Sequence, residues 1–264
     1  MRSTAWVLDL DGVVRLGSRR IAGAPEAVAA LRAAGHHVLF ATNNSNDTIG
    51  QVETQLAAMG VPAAGSIVTS ATAASVLLEE GERVMVCGGP GVAEAVRSRG
   101  AVVVDNGGQV DTVVVGFHRG FDYGRMTAAA RAVLAGARLV GTNDDKTFPT
   151  PEGLAPAAGA ILASIVAATE VEPVIAGKPH RPMAQAVIDT LAGPDGGGPL
   201  PGVVVGDRPD TDGALAAALG VPFVLVLTGV TDAGADPTDP PPALIAADLA
   251  AAVVDRLPAG TVRA

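Results

Sequence analysis

Apolar positions along the chain fall into two alternating patterns. Short, continuous β-rich runs are followed by Ala-rich stretches in which apolar residues recur at helical spacing. Residues 5–10, 37–41, 84–87, 101–104, 112–115, 138–140, 174–176, 203–205 and 222–227 read as strands. Residues 24–34, 47–59, 70–80, 92–99, 123–135, 157–169, 182–191, 212–219 and 243–256 read as helices. Pro25 suits a first helical turn, and Gly35 and Gly60 suit helix stops. Ser70 and Asp212 suit N-caps. Residues 141–153 (GTNDDKTFPTPEG) are polar and Pro-rich and read as a loop.

Strands that alternate with helices imply right-handed β-α-β units and a mainly parallel sheet covered on both faces. One such sheet uses about five or six strands, and the chain supplies more. The expectation is an α/β protein of two domains, one inserted into the other, since no long flexible linker separates them.

Ligands of open parallel sheets bind beyond the carboxyl ends of the strands. The polar residues at those ends fall into four groups: Asp9 and Asp11 in DLDG, Thr42, Asn43 and Asn44 in TNNSN, Lys178 in GKPH, and Asp207, Asp210 and Asp212 in GDRPDTD. If the four strands share one sheet, all four groups converge on one edge. Read singly, each group is an ordinary turn or helix cap. Together, in order, each after a strand, they describe a site. Clustered carboxylates repel, and one takes up a proton unless a cation neutralises them. Oxygen-only ligands suit a hard ion, Mg²⁺ above all. Thr42 offers a hydroxyl and Lys178 a point charge, both good donors to a phosphate.

Composition narrows the class of partner. The net charge of −9 argues against nucleic acid and against an anionic membrane surface. The longest apolar stretch, residues 157–168, is short of the ~20 residues a spanning helix needs. Asp9 and Asp11 interrupt the N-terminus before an apolar run of leader length, so a soluble, cytoplasmic protein is expected. Cys87 is the single cysteine, which excludes an intrachain disulfide and a cysteine-based zinc site. Only Lys146 and Lys178 are lysines among 18 basic residues, which marks both for inspection.

These motifs resemble the haloacid dehalogenase superfamily. The segments IAGAPEAVAALRAAG, ATNNSN, TFPTPEGLAPAAGAI, AGKPH, GDRPDTD and VLTGV are similar to its NagD-like, 4-nitrophenyl phosphatase-type branch. The resemblance implies a Rossmann-like core over residues 1–75 and 177–264, with an α/β cap inserted at residues 76–176 that governs substrate choice. It implies a Mg²⁺-dependent phosphatase acting on a small phosphate monoester, glycerol phosphate or phosphoglycolate being favoured, through an aspartyl-phosphate. Asp9 would be the nucleophile and Asp11 the general acid and base. Asp9, Asp11 (through its carbonyl), Asp207 and Asp212 would serve the metal, Asp212 from behind. Leu10, Thr42, Asn43, Asn44 and Lys178 would hold the phosphoryl group, with Asn143, Asp144 and His180 facing the substrate. Lys146 is expected to be solvated. The resemblance leaves room for a homodimer through the cap.

Two departures stand out. Pro209 follows GDR where the branch usually has Leu, and Gly213 follows Asp212 where Ile is common. They motivate an alternative, a phosphometabolite-binding module without catalysis. A phosphotransferase or mutase is a third reading. A nucleotide or pyridoxal phosphate phosphatase is the alternative substrate class, weakened by the scarcity of aromatic residues (one Trp, one Tyr, five Phe).

Overall fold

The strand Thr4–Leu8 is apolar at successive rather than alternate positions because both faces of its sheet are covered. A computed structural model of the chain describes residues 4–105, 109–150, 153–231 and 239–256. The chain divides into two compact units, one of Met1–Thr42, Gly50–Val68 and Ala184–Ala264, the other of Asn43–Ile49 and Thr69–Met183.

The first unit is built on a six-stranded sheet in the order Leu244–Ala246, Phe223–Val226, Leu200–Gly206, Thr4–Leu8, His37–Thr42, Ile67–Thr69. Leu8 stands opposite Val205 on one side and Phe40 on the other, in parallel register. That register brings Asp9, Thr42 and Asp207 out at the same edge. Helix Ala24–Ala33 starts with Pro25 in its first turn and buries Ala24, Ala27, Val28 and Leu31. Helix Ile49–Ala58 buries Val52 and Leu56.

The second unit is built on a five-stranded parallel sheet in the order Val174–Ile175, Arg138–Gly141, Thr112–Val115, Arg83–Cys87, Val102–Val104. Met85, Cys87, Val113, Val115 and Leu139 from its strands pack with Ala129, Val133, Leu162 and Ile165 from helices Tyr123–Leu134 and Ala158–Thr169. Asp122 caps the first of these helices, its carboxylate accepting from Arg125 N–H at 2.7 Å. No helix among the described residues is long and apolar enough to cross a membrane. The apolar stretch at 157–168 becomes the 12-residue helix Ala158–Thr169.

The structure corrects several expected elements. Val174–Ile175 pairs with Val140 and Gly141 and so belongs to the second sheet, which takes Lys178 off the sheet that carries Asp9 and Asp207. Residues 243–256 do not form one helix, because Leu244–Ala246 completes the edge of the first sheet against Val224–Val226 before helix Leu249–Arg256 begins. Here sheet pairing overrides a locally helical, Ala-rich pattern. Helix Ser70–Ser75 is capped by Thr69, not Ser70. Thr69 and Thr72 exchange backbone-to-hydroxyl hydrogen bonds of 2.9 and 3.1 Å, and the helix ends short of residue 80. The loop at 141–153 contains a strand, Thr147–Thr150, paired antiparallel with Gly153–Pro156; its residues 151–152 lie outside the described residues. Arg15–Leu16 and Arg19–Arg20 form a small hairpin that no periodicity announced. Of the Pro/Asp-rich stretch 231–242, residues 232–238 lie outside the described residues.

An ion pair lies at the start of the second sheet. The Arg83 guanidinium meets both oxygens of Asp111 at 2.7 and 2.9 Å, and the Arg83 N–H adds a bond of 2.9 Å. The side-chain hydrogen bonds from Arg83 hold the Asp111 carboxyl down to about 2. The pair therefore contributes fully above the ordinary carboxylate value of ~3.9, and its contribution is lost as pH falls through about 2. Titration of the side-chain carboxyl by NMR should place Asp111 near 2, and Arg83→Gln should return it toward ~3.9.

Candidate active site

Asp9 follows directly on Thr4–Leu8, and its N–H donates to the Val205 carbonyl at 2.9 Å. Asp207 follows Leu200–Gly206, and Asp212 lies in the wide π-type turn Pro209–Gly213. These three residues are 9%, 2% and 1% exposed, and one carboxylate oxygen from each lies within 4.8 Å of the others. Three negative charges out of water at that spacing are strongly unfavourable unless a cation or protons neutralise them. The donor set is all oxygen and the site is small, which fits Mg²⁺.

The neighbouring backbone is shaped around Asp207. Its Oδ2 accepts from Val230 N–H at 2.6 Å, and its carbonyl accepts from the Thr231 hydroxyl at 2.6 Å. The Thr228 hydroxyl donates to the Gly12 carbonyl. Gly12 sits at φ +91°, and a Cβ there would overlap the Asp207 carboxylate, so both conformation and close approach require glycine. A Cβ at Gly229 would overlap the same carboxylate. Within VLTGV, Thr228, Gly229 and Val230 line this loop.

Asp11 stands outside the trio of carboxylates. Its side chain is half-exposed and faces Arg15, whose own side chain is buried. Leu10 is fully buried, and its carbonyl accepts from Val14 and Arg15 N–H at 2.9 and 3.0 Å, which closes the tight turn after Asp9. Thr42 ends His37–Thr42 and is 3% exposed.

The remaining candidates gather in the second unit around Asn43. Its side-chain oxygen accepts from Lys178 N–H at 2.8 Å. Its amide nitrogen donates to Asp145 Oδ2 at 2.9 Å and to the Lys178 carbonyl at 3.2 Å. Its own carbonyl accepts from the Ser70 hydroxyl and from the Asn143 amide, both at 2.7 Å. Lys178 and Asn143 are buried. Asn44 accepts from Asn46 N–H at 2.8 Å and donates to Asp47 at 3.2 Å. Asp144 and His180 face each other at 3.4 Å on the surface of the unit. Lys146 is exposed, as expected.

The departures at Pro209 and Gly213 have local explanations. Pro209 opens the π-type turn, where a missing N–H costs nothing. A Cβ at Gly213 would meet Pro240 at 2.8 Å and the Phe223 ring at 3.1 Å, so the position is filled by its neighbours. Asp210 points away into an ion pair with Arg208 at 2.7 Å, whose hydrogen bonds lower its pKa. Asp212 keeps its place in the trio and accepts from Arg208 N–H at 3.2 Å, although the helix it was expected to cap starts later, at Ala214. Burial pushes the Cys87 thiol up to about 11, which disfavours the thiolate at neutral pH. Arg15 and Gln55 carry no signal in the sequence, where Ser70 has only a capping role and Asp145 only a place in the loop at 141–153.

Two family models match the chain, Haloacid dehalogenase-like hydrolase over residues 6–102 and HAD-hydrolase-like over residues 175–252. The chain is 36% identical over 233 residues to the D-glycerol 3-phosphate phosphatase of Mycobacterium tuberculosis, covering 86% of this chain and 64% of that protein's length. It is 34% identical over 230 residues to a 5'-nucleotidase of Bacillus subtilis, covering 86% and 88%. Among solved structures, the p-nitrophenyl phosphatase from Archaeoglobus fulgidus superposes with a TM-score of 0.87 at 28% identity, covering 97% of this chain and all of that one. The glycerol phosphate phosphatase from Mycobacterium tuberculosis in complex with magnesium superposes with a TM-score of 0.83 at 32% identity, covering 94% and 75%. The chain belongs to the haloacid dehalogenase-like hydrolases. Within them it is a member of the NagD-like, 4-nitrophenyl phosphatase-type branch, an enzyme of the phosphatase class.

Neutralisation of the trio should be visible in stability. Saturating Mg²⁺ at a hundred times its Kd stabilises the folded chain by about 2.7 kcal/mol, a rise of several degrees in Tm. Differential scanning calorimetry should show that rise in the wild type and its loss in Asp207→Ala. Gly12→Ala should lose it too, although it removes no carboxylate.

Proposed function

We propose that the protein is a Mg²⁺-dependent phosphatase that hydrolyses a small phosphate monoester through an aspartyl-phosphate. The observation that carries the reading is the buried trio of Asp9, Asp207 and Asp212, with Asp9 at the end of a central strand and a fourth carboxylate, Asp11, two residues on. Bound there, the metal would neutralise the carboxylates and the phosphate. An Asp9 oxygen attacks phosphorus; the Asp9 O–P bond forms as the bond to the ester oxygen breaks. The departing oxygen takes a proton from Asp11 and leaves as the alcohol. Asp11, now a carboxylate, takes a proton from water as the water oxygen attacks phosphorus, and the Asp9 O–P bond breaks to release inorganic phosphate. Leu10 and Asn43 N–H groups, Thr42, Asn44 and Lys178 are assigned to the phosphoryl oxygens. Asp212 is assigned to hold the metal site from behind.

The division of labour follows the same reading: a catalytic core over 1–75 and 177–264, and an inserted cap over 76–176 that selects the leaving group. Asn143, Asp144 and His180 are the cap-side and lysine-loop groups assigned to substrate. The favoured esters are glycerol phosphate and phosphoglycolate, supported by the glycerol 3-phosphate and dihydroxyacetone phosphatases among the relatives. A nucleotide or pyridoxal phosphate is the second reading, favoured by one observation in the second unit. There Phe117 and Phe148 meet edge to face at 5.1 Å, with the Arg119 guanidinium 5.5 Å over Phe117, a ring platform that the scarcity of aromatics had argued against. A cytoplasmic location and a homodimer through the cap complete the reading.

The test is phosphate release from a panel of glycerol phosphates, phosphoglycolate, pyridoxal phosphate, nucleotides, sugar phosphates and 4-nitrophenyl phosphate, with Mg²⁺ and with EDTA. Release should require Mg²⁺ and fall by at least about a thousandfold in Asp9→Asn. Saturable binding without release from any ester would instead support the binding-module reading. Preference for a nucleotide, lost in Phe117→Ala, would support the second substrate class. Phosphoryl transfer to an added sugar in excess of hydrolysis would mark a phosphotransferase.

A further inference from the structure

The turn that carries Asp11 returns on itself so that residue 15 faces residue 11. Arg15 N–H donates to the Leu10 carbonyl at 3.0 Å, and Gly12 N–H donates to the Arg15 carbonyl at 2.7 Å. The Arg15 side chain is only 5% exposed, whereas that of Asp11 is 50% exposed. One guanidinium nitrogen, Nη1, donates to Gln55 Oε1 at 2.6 Å, which ties the head to helix Ile49–Ala58. The other two face the two oxygens of Asp11, Nε at 3.3 Å from Oδ1 and Nη2 at 3.4 Å from Oδ2. The Nε–H is buried and has no aligned hydrogen-bond acceptor.

A buried guanidinium attracts a carboxylate presented to its fork, and here that attraction acts through the Nη2–H bond to Oδ2 and the 3.3 Å ion pair at Nε. A half-exposed carboxylate without such a partner samples several rotamers in water. The fixed member of this pair is Arg15, held by burial and by Gln55; the member that gains definition is Asp11. We infer that Arg15, anchored by Gln55, is a positioning residue that holds the Asp11 side chain in the orientation from which its carboxyl group, when protonated, protonates the leaving oxygen. The inference rests on the function proposed above, in which Asp11 is the general acid. It assigns Arg15 no contact with substrate or metal. A displacement of a reacting group by about 1 Å can cost on the order of a hundredfold in rate, so a residue that fixes one rotamer is worth retaining.

The discriminating measurement compares leaving groups. An alkyl ester such as glycerol phosphate needs a proton as its alkoxide leaves. The nitrophenolate of 4-nitrophenyl phosphate leaves without one. The ratio kcat/KM covers only the steps up to the aspartyl-phosphate, before Asp11 acts as a base on water. Arg15→Gln should lower kcat/KM for the alkyl ester by about ten- to a hundredfold, with that for 4-nitrophenyl phosphate within about twofold of wild type. Arg15→Lys, which keeps the charge without the fork, should recover part of the loss. Gln55→Met, which frees the guanidinium but retains it, should show the same selectivity at smaller size and serves if Arg15→Gln does not fold. Equal losses for both esters would make Arg15 a structural or phosphate-holding residue, and no loss for either would detach it from Asp11; each overturns the inference. Asp11→Asn in the same assay separates the two levels. If it is selective for the alkyl ester and the Arg15 variants are not, the inference alone fails. If Asp11→Asn itself spares the alkyl ester, the general-acid role and the inference fail together.

Discussion

Three carboxylates buried within 4.8 Å of one another are the constraint to which the rest of the first unit answers. Bringing like charges together out of water is strongly unfavourable unless a cation or protons neutralise them. The surroundings here are arranged for that compensation. The parallel register of Leu8 with Val205 brings the ends of two strands level. Glycines at 12 and 229 let the backbone approach Asp207 where any side chain would collide with it. Val230 N–H then adds a hydrogen bond to the charged oxygen, and the Thr228 and Thr231 hydroxyls tie down the backbone on either side. The acidic cluster is thus fixed by close packing and hydrogen bonds, which suits a small hard cation with strict geometry.

The second unit solves a different problem, that of fixing a buried lysine and its loop. Lys178 is 3% exposed, in a chain with one other lysine, and that one is exposed. Its backbone is held from both sides by the one side-chain amide of Asn43, which accepts from its N–H and donates to its carbonyl. Asn43 in turn is fixed through its carbonyl by Ser70 and Asn143. An asparagine suits this task because it carries a donor and an acceptor on one planar group. The same geometry directs the Asn143 amide at the Asn43 carbonyl.

Motif departures that suggested a lost activity have ordinary packing causes. Gly213 is where Phe223 and Pro240 press in, and Pro209 begins a turn that needs no N–H. Neither disturbs the burial of Asp212, which is 1% exposed. The neighbouring Asp210, though part of the same acidic motif, is neutralised by Arg208 at the surface and takes no part in the trio. Adjacent carboxylates of one short motif thus differ in role through the direction in which the turn sends them.

The sequence by itself determined the α/β class, the position of most strands, and the residues Asp9, Asp207 and Asp212 as an acidic group at strand ends. These follow from local chemistry: continuous apolar runs make buried strands, and charges can only sit where the runs stop. Only the tertiary structure decided which strands share a sheet. Val174–Ile175 is two residues long and equally apolar in either sheet, so pairing with Val140 and Gly141, not composition, assigns it and sends Lys178 to the second unit. Leu244–Ala246 likewise reads as helix until an open sheet edge offers it hydrogen bonds. Arg15 carries no motif, and its partners lie four residues away across a turn and forty residues away on a helix. Contacts of that kind depend on where the backbone turns and which side chains burial leaves facing each other, and no one-dimensional pattern encodes them.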